Sequence, residues 1–140
     1  FTAVSENEAF ARIAVAAFVT PLNPTLEEIA DIKTAVSEAV TNAIIHGYDG
    51  MTGKEQNQVY IHCLLNRDVL QVEVIDEGKG IEDVEKAMEP MYTTKPDMDR
   101  SGMGFAFMEA FMDELAVGSG EGKGTLVRMK KTIYSAYDGR

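Results

Sequence analysis

Glu38 and Asn42 stand four residues apart in the segment SEAVTNAIIHGY (residues 37–48), and Asp76, Gly78 and Gly80 follow in DEGKG (residues 76–80). On a helix, positions i and i+4 lie one above the other, so a carboxylate and an amide oxygen share one face. Asn is a weak helix former, and Glu38 is set among Ala35, Val36, Ala39 and Val40 rather than in a charged stripe. Such a pair can hold a hard cation such as Mg²⁺ and take the proton of a reacting hydroxyl. Asp76 to Gly80 come directly after an apolar strand pattern, where a loop can grip a ligand with backbone and carboxylate. Each half has an ordinary alternative, a solvated helix edge for Glu38 and Asn42 and a simple turn for Asp-x-Gly. Taken in order, with a further glycine pair at Gly102-Met103-Gly104, they imply a nucleotide site.

These residues need a scaffold, and the chain can supply one. Its 140 residues suit one domain (residues 1–140), and 45% hydrophobic with 26% charged residues fits a soluble globular protein. There is no apolar run near 18 residues, so no membrane span is expected. The chain opens at Phe1 rather than Met, so a preceding piece is expected, and targeting signals are left open. A net charge of −10 argues against a nucleic-acid surface, because phosphates are repelled. ATP remains compatible if the few basic residues cluster at its phosphates, and Lys95 and Arg100 beside the glycine pair offer such a cluster. The single Cys63 rules out an internal disulfide and suits a reducing cytoplasm. It alternates with Val59, Ile61 and Leu65 as a core thiol. Two histidines and one cysteine make no zinc site.

The elements follow from periodicity and punctuation. Ser5-x-x-Glu8 reads as a capping box opening a helix that buries Phe10, Ile13, Ala14, Ala17 and Phe18, ended by Pro21 and Pro24. Thr25-x-x-Glu28 opens a second helix with Ile29, Ile32, Val36, Val40 and Ile44 at helical spacing, and Gly47 stops it. A polar loop over 49–57 precedes two alternating strands, Val59 to Leu65 and Leu70 to Val74, joined at Asn66-Arg67-Asp68. Apolar Tyr60, Leu64 and Ile75 on the alternate positions predict that the sheet is largely covered on both faces. Residues 82–89 read as a short acidic helix. Residues 90–101 lack periodicity and hold Pro90, Pro96, Thr93, Thr94, Lys95 and Arg100, so they predict a mobile flap. Gly104 to Leu115 predicts a further helix with Phe105, Met108, Phe111, Met112 and Leu115 inward. Strands near Leu115–Val117 and Thr125–Ile133 flank the glycine-rich turn 118–124. The order predicts an α/β sandwich of two layers, helices on one face of a mostly antiparallel sheet.

The order Glu38-x-x-x-Asn42, Asp76-x-Gly78-x-Gly80, Gly102-x-Gly104 and Gly124-Thr125 resembles the nucleotide-binding boxes of the Bergerat-fold (GHKL) ATPases. Within that group, SEAVTNAIIHGY and YTTKPDMDRSGMGF (residues 92–105) resemble the anti-sigma factor serine kinases, closest to their sporulation anti-sigma F branch. The resemblance runs from about Ser5 to Ile133. It implies ATP and Mg²⁺ as cofactors, with Asn42 as Mg²⁺ ligand and Glu38 as the carboxylate that orients and deprotonates the attacking hydroxyl. It implies Asp76 as acceptor for the exocyclic amine of adenine, with Gly80 letting backbone approach the ring and Gly78 among the ATP-binding residues. Thr125 is similar to the threonine that supports this aspartate through water; otherwise it is an ordinary strand residue. Ser101, Gly102, Met103 and Gly104 are implied at the phosphates, where backbone N–H groups open a helix. Thr94, Lys95 and Arg100 are implied on the lid (about 90–101), although Lys95 and Arg100 also read as solvated loop charges. Arg100-Ser-Gly-Met-Gly departs from the fuller Gly-x-Gly-x-Gly of sensor kinases. No phosphoacceptor-histidine helix pair and no transducer domain are visible. His46 lies near the helix end and reads as a C-terminal cap rather than a base.

The resemblance implies a cytoplasmic homodimer that inhibits an RNA polymerase sigma factor, sigma F, and phosphorylates a serine of an anti-anti-sigma partner. Two alternatives share the same boxes, the catalytic domain of a histidine kinase and a non-catalytic ATP-gated binding module. Arg12, the one basic residue in the first helix, reads either as a solvated charge in a local ion pair or as an anchor for an acidic patch of a partner. The resemblance implies partner contact there.

Overall fold

Thr25 opens the helix on which the site is built. Its hydroxyl accepts the Glu28 N–H at 3.1 Å, and the Glu28 carboxylate accepts the Thr25 N–H at 2.8 Å, so the expected capping box forms. The computed structural model describes residues 1–48, 57–89, 104–120 and 122–134. The expected lid at 90–101 and nearly all of the loop 49–57 lie outside the described residues. Helix α1 spans Glu6–Phe18, a single 3₁₀ turn covers Thr20–Leu22, and α2 spans Leu26–Asn42. A wider π turn, Ala43–Gly47, continues α2. Strands β1 (Val59–Asn66) and β2 (Val69–Asp76) form a hairpin, α3 is the short Val84–Ala87, and α4 is Gly104–Phe111. Strands β3 (Glu114–Ser119) and β4 (Thr125–Thr132) complete a four-stranded antiparallel sheet of order β1-β2-β4-β3.

The stripe predicted for α2 is the seam of the fold. Ile32, Val36, Val40 and Ile44 are buried, and Val59, Leu70, Val72, Val74, Val127 and Met129 meet them from the sheet. Fully burying side chains of this size stabilises by about 1.5–3 kcal/mol each. At the far end of α4, Lys131 Nζ of β4 donates to the Phe111 carbonyl at 2.8 Å and lies 3.7 Å from Asp31 Oδ2 of α2. An otherwise unpaired helix-end carbonyl is thereby satisfied, and α4 is fixed to both layers.

Four expectations need correction. Ser5 makes no side-chain cap; its backbone is already helical, and Glu8 instead accepts from Ser37 of α2 and pairs with Arg12. In α1 the buried residues are Ala11 and Val15, followed by Val19, while Phe10 and Ile13 are 65% and 57% exposed and Phe18 is also exposed. Small side chains on that stripe let α1 lie close to α2, which the larger residues would prevent. The sheet is covered on one face, since Tyr60, His62 and Leu64 of β1 alternate outward as exposed residues. Helix α4 ends at Phe111, and Leu115 belongs to β3, because Asp113 already engages the sheet through its N–H to Lys130 O at 2.8 Å.

Candidate functional site

Glu38 and Asn42 occupy the last turns of α2 on the face that meets the start of α4. A Cβ added at Gly104 would lie 3.0 and 3.2 Å from the Asn42 amide nitrogen and oxygen, and 3.3 Å from Glu38 Oε2. The missing side chain lets the first turn of α4 approach the carboxylate and the amide together. The first N–H groups of α4, which have no partner within the helix, and the positive end of its dipole therefore stand close to the two side chains. A carboxylate, an amide oxygen and helix N–H donors form a set suited to a hydrated hard cation and phosphate oxygens. The donor chemistry thus fits Mg²⁺ held with Asn42.

Asp76 ends β2 and is 6% exposed, the one buried charged side chain among the described residues. Burial pushes its carboxyl up to about 6, opposed by N–H donors from Gly78 and Thr125. The Gly78 N–H donates to Asp76 Oδ1 at 2.9 Å. A carboxylate kept ionised at neutral pH by two amides, in a nearly dry setting, is a strong acceptor for a further donor.

The surrounding backbone is drawn tight by glycines. A Cβ on Gly47 would meet the Asp76 carboxylate at 2.8 Å, and one on Gly78 would meet the Gly47 carbonyl at 2.0 Å. Gly47 therefore serves close approach, since it does not adopt the left-handed conformation of a glycine helix stop. Gly80 has φ +79°, and its Cβ would strike the Gly120 carbonyl at 1.9 Å, so the 78–81 loop rests on the β3–β4 turn. Ser119 joins the two: its hydroxyl accepts the Ile81 N–H at 2.7 Å and lies 2.8 Å from Thr125 Oγ1.

Glu38, Asn42 and Gly104 meet at the α2–α4 junction, and Asp76, Gly78, Gly80 and Thr125 meet at the end of β2. Thr125 supports Asp76 through its backbone N–H, with its hydroxyl turned to Ser119. Thr94, Lys95, Arg100, Ser101, Gly102 and Met103 lie outside the described residues. Arg12 belongs to neither cluster; its Nη1 lies 3.3 Å from Glu8 Oε1, which also accepts from Ser37, the neighbour of Glu38 in α2. The sequence marks Gly47 only as a helix stop and assigns Tyr48 and Ser119 no role. The HGY that closes the first box was the available signal for two of them; Ser119, a serine before a glycine-rich turn, carried none.

Known proteins resemble this chain in sequence and in fold. Residues 1–131 match the family described as the histidine kinase-like ATPase domain. An anti-sigma F factor of Thermoanaerobacter sp. (strain X514) is 58% identical over 135 residues, covering 96% of this chain and 92% of that protein. One from Clostridium acetobutylicum is 59% identical over 131 residues, covering 94% and 89%. Among solved structures, the mycobacterial sensor histidine kinase MprB superposes with a TM-score of 0.57 at 17% identity, over 76% of this chain and 73% of that one. The catalytic domain of histidine kinase ThkA gives 0.56 at 20% identity, over 75% and 68%. At such identities the superpositions show the fold alone, whereas the family match and the full-length relatives show kinship. The chain belongs to the histidine kinase-like ATPase domain family, among the anti-sigma F factors.

Proposed function

We propose that this chain is an ATP-dependent protein serine kinase that also holds a sigma factor inactive. The observation that carries the reading is the packing of Gly104 against both Glu38 and Asn42, which brings a carboxylate, an amide and the start of a helix together. Asn42 would hold Mg²⁺, which supplies charge neutralisation at the phosphates. Phosphoryl transfer asks mainly for positioning and charge stabilisation. Glu38 orients the partner's serine hydroxyl and accepts its proton, while Asp76 selects adenine by accepting its exocyclic amine. Gly80 admits the base, Thr125 steadies Asp76, and Gly78, Thr94, Lys95, Arg100, Ser101, Gly102 and Met103 complete the proposed ATP-binding set.

The relatives' name supports a sigma factor, sigma F, as the partner; the proposal adds the sporulation programme and a small anti-anti-sigma protein as phosphorylation substrate. The setting is the cytoplasm; no helix among the described residues is long and apolar enough to cross a membrane. The working form is a homodimer of this single domain. Exposed Phe10 and Phe18 on α1 line a groove with Tyr60 and His62 of β1, an apolar face on which such an assembly can draw. Arg12 at the surface of α1 is the contact for an acidic patch on a partner.

The deciding experiment incubates the chain with γ-labelled ATP, Mg²⁺ and an anti-anti-sigma protein, then locates the label by mass spectrometry. The reading expects label on one serine of the partner. Label on histidine, or none on the partner while ATP is bound, overturns it in favour of a histidine kinase or a purely nucleotide-gated module.

A further inference from the structure

The β1–β2 ladder pairs Val59 with Asp76 and, by the same register, should next pair Gln58 with Glu77. That rung is not made directly. The Tyr48 hydroxyl stands in it: it donates to the Gln58 carbonyl at 2.7 Å and accepts the Glu77 N–H at 2.8 Å. A side-chain oxygen inserted between two backbone groups holds them farther apart than a β rung would, yet leaves neither unsatisfied. The chain after β2 consequently peels away from β1 at Glu77, and Asp76 and Gly78 form the tight turn in which the Gly78 N–H reaches Asp76 Oδ1.

Both sides of this wedge are fixed. Tyr48 follows the π turn whose Gly47 carbonyl accepts the Lys79 N–H at 3.0 Å, and its ring packs against the core. Gln58 is bridged to Thr2, with Ala3 N–H on Asn57 O and Val59 N–H on Phe1 O, each at 2.8 Å. The Tyr60 hydroxyl additionally bonds the Glu77 carboxylate from the outer face.

We propose that Tyr48 is a positioning residue for base recognition, its hydroxyl serving as an inserted rung that sets the Asp76–Gly78 turn to receive an adenine amine. This rests on the reading of Asp76 as the base acceptor. Tyr48 acts through the Glu77 N–H and touches neither base nor phosphate.

The test compares ATP with ITP, which presents a carbonyl where adenine presents its amine, by calorimetric titration with Mg²⁺. Parent, Tyr48→Phe, Glu77→Ala, Asp76→Asn and the Tyr48→Phe/Asp76→Asn pair are measured, with circular dichroism confirming the fold. Tyr48→Phe keeps the ring and removes the rung. It is expected to weaken ATP about five- to tenfold, the effect of one lost hydrogen bond, and ITP less than twofold. Glu77→Ala keeps the N–H and should cost less than twofold. On the Asp76→Asn background, Tyr48→Phe should change ATP affinity less than twofold. Equal losses for ATP and ITP, an unaltered ATP affinity, a Glu77→Ala loss as large as that of Tyr48→Phe, or a full loss on the Asp76→Asn background overturns the proposal. A parent that fails to distinguish ATP from ITP overturns the reading of Asp76 and the proposal with it; a discriminating parent with an unaffected Tyr48→Phe overturns the proposal alone.

Discussion

Asp76 faces Thr125 across the β2–β4 ladder, and the Thr125 N–H is one of two amides that hold the buried Asp76 carboxylate. The pairing puts a charge at the end of a strand where the sheet no longer offers it a full complement of donors. A protein shaped for stability alone would place an amide or an apolar group there. A binding site requires the acceptor to remain unsaturated.

That relationship has a pH signature. Burial raises the Asp76 carboxyl from 3.8 to about 6, so the folded chain binds more protons than the unfolded chain between those values. Asp76 therefore lowers stability as pH rises from about 4 to 6, with its full cost, about 3 kcal/mol at most, present above 6. Asp76→Asn is expected to raise the nucleotide-free Tm at pH 7.5 and leave it nearly unchanged near pH 4. ATP affinity of the parent should fall as pH drops through 6, because the protonated carboxyl no longer accepts the amine. Thermal melts and titrations across pH 4.5–8 check both.

Gly47→Ala places a methyl 2.8 Å from the Asp76 carboxylate, inside any normal contact. The carboxylate or the α2 terminus must move. Overpacking of this kind costs about 1–3 kcal/mol, and ATP affinity should fall at least tenfold through the displaced acceptor. Denaturant unfolding beside nucleotide titration separates the two effects.

Much of this was legible in the residues, and the failures share a cause. The Thr25 capping box and the α2 stripe were readable because both are local: each is specified by residues within one or two turns. The buried face of helix α1 is not legible because the helix is apolar nearly all round. Ala11, Val15 and Val19 repeat at the same spacing as Phe10, Ala14 and Phe18, and periodicity cannot say which stripe faces α2. The support of Asp76 by Gly47 and Tyr48 spans some thirty residues and depends on strand register, which no local pattern encodes. Asn42 and Asp76 are visible because their types are poor choices for a helix and a strand, and Glu38 because it stands among apolar neighbours.

Arg12→Ala separates partner recognition from chemistry. The Glu8–Arg12 pair is partly exposed and contributes little to stability, so Tm should move by no more than about 1–2 °C. Affinity for sigma factor, anti-anti-sigma protein or both should fall at least tenfold, as for an interface arginine. ATP affinity should hold, since the Arg12 side chain pairs with Glu8 rather than with Glu38, Asn42 or Asp76. Surface plasmon resonance against each partner, with an ATP titration in parallel, measures this.

Glu38→Gln addresses the central claim, that one carboxylate beside Asn42 and the start of α4 drives transfer to a serine. The measurement is a single-turnover transfer rate to the anti-anti-sigma protein, taken beside Mg²⁺-ATP affinity on the same preparation. The expected result is ATP affinity within about threefold of the parent and a transfer rate lower by about 10²–10⁴-fold, the range for losing a general base. Transfer within about threefold of the parent, with ATP bound normally, would contradict the account by removing Glu38 from the chemistry.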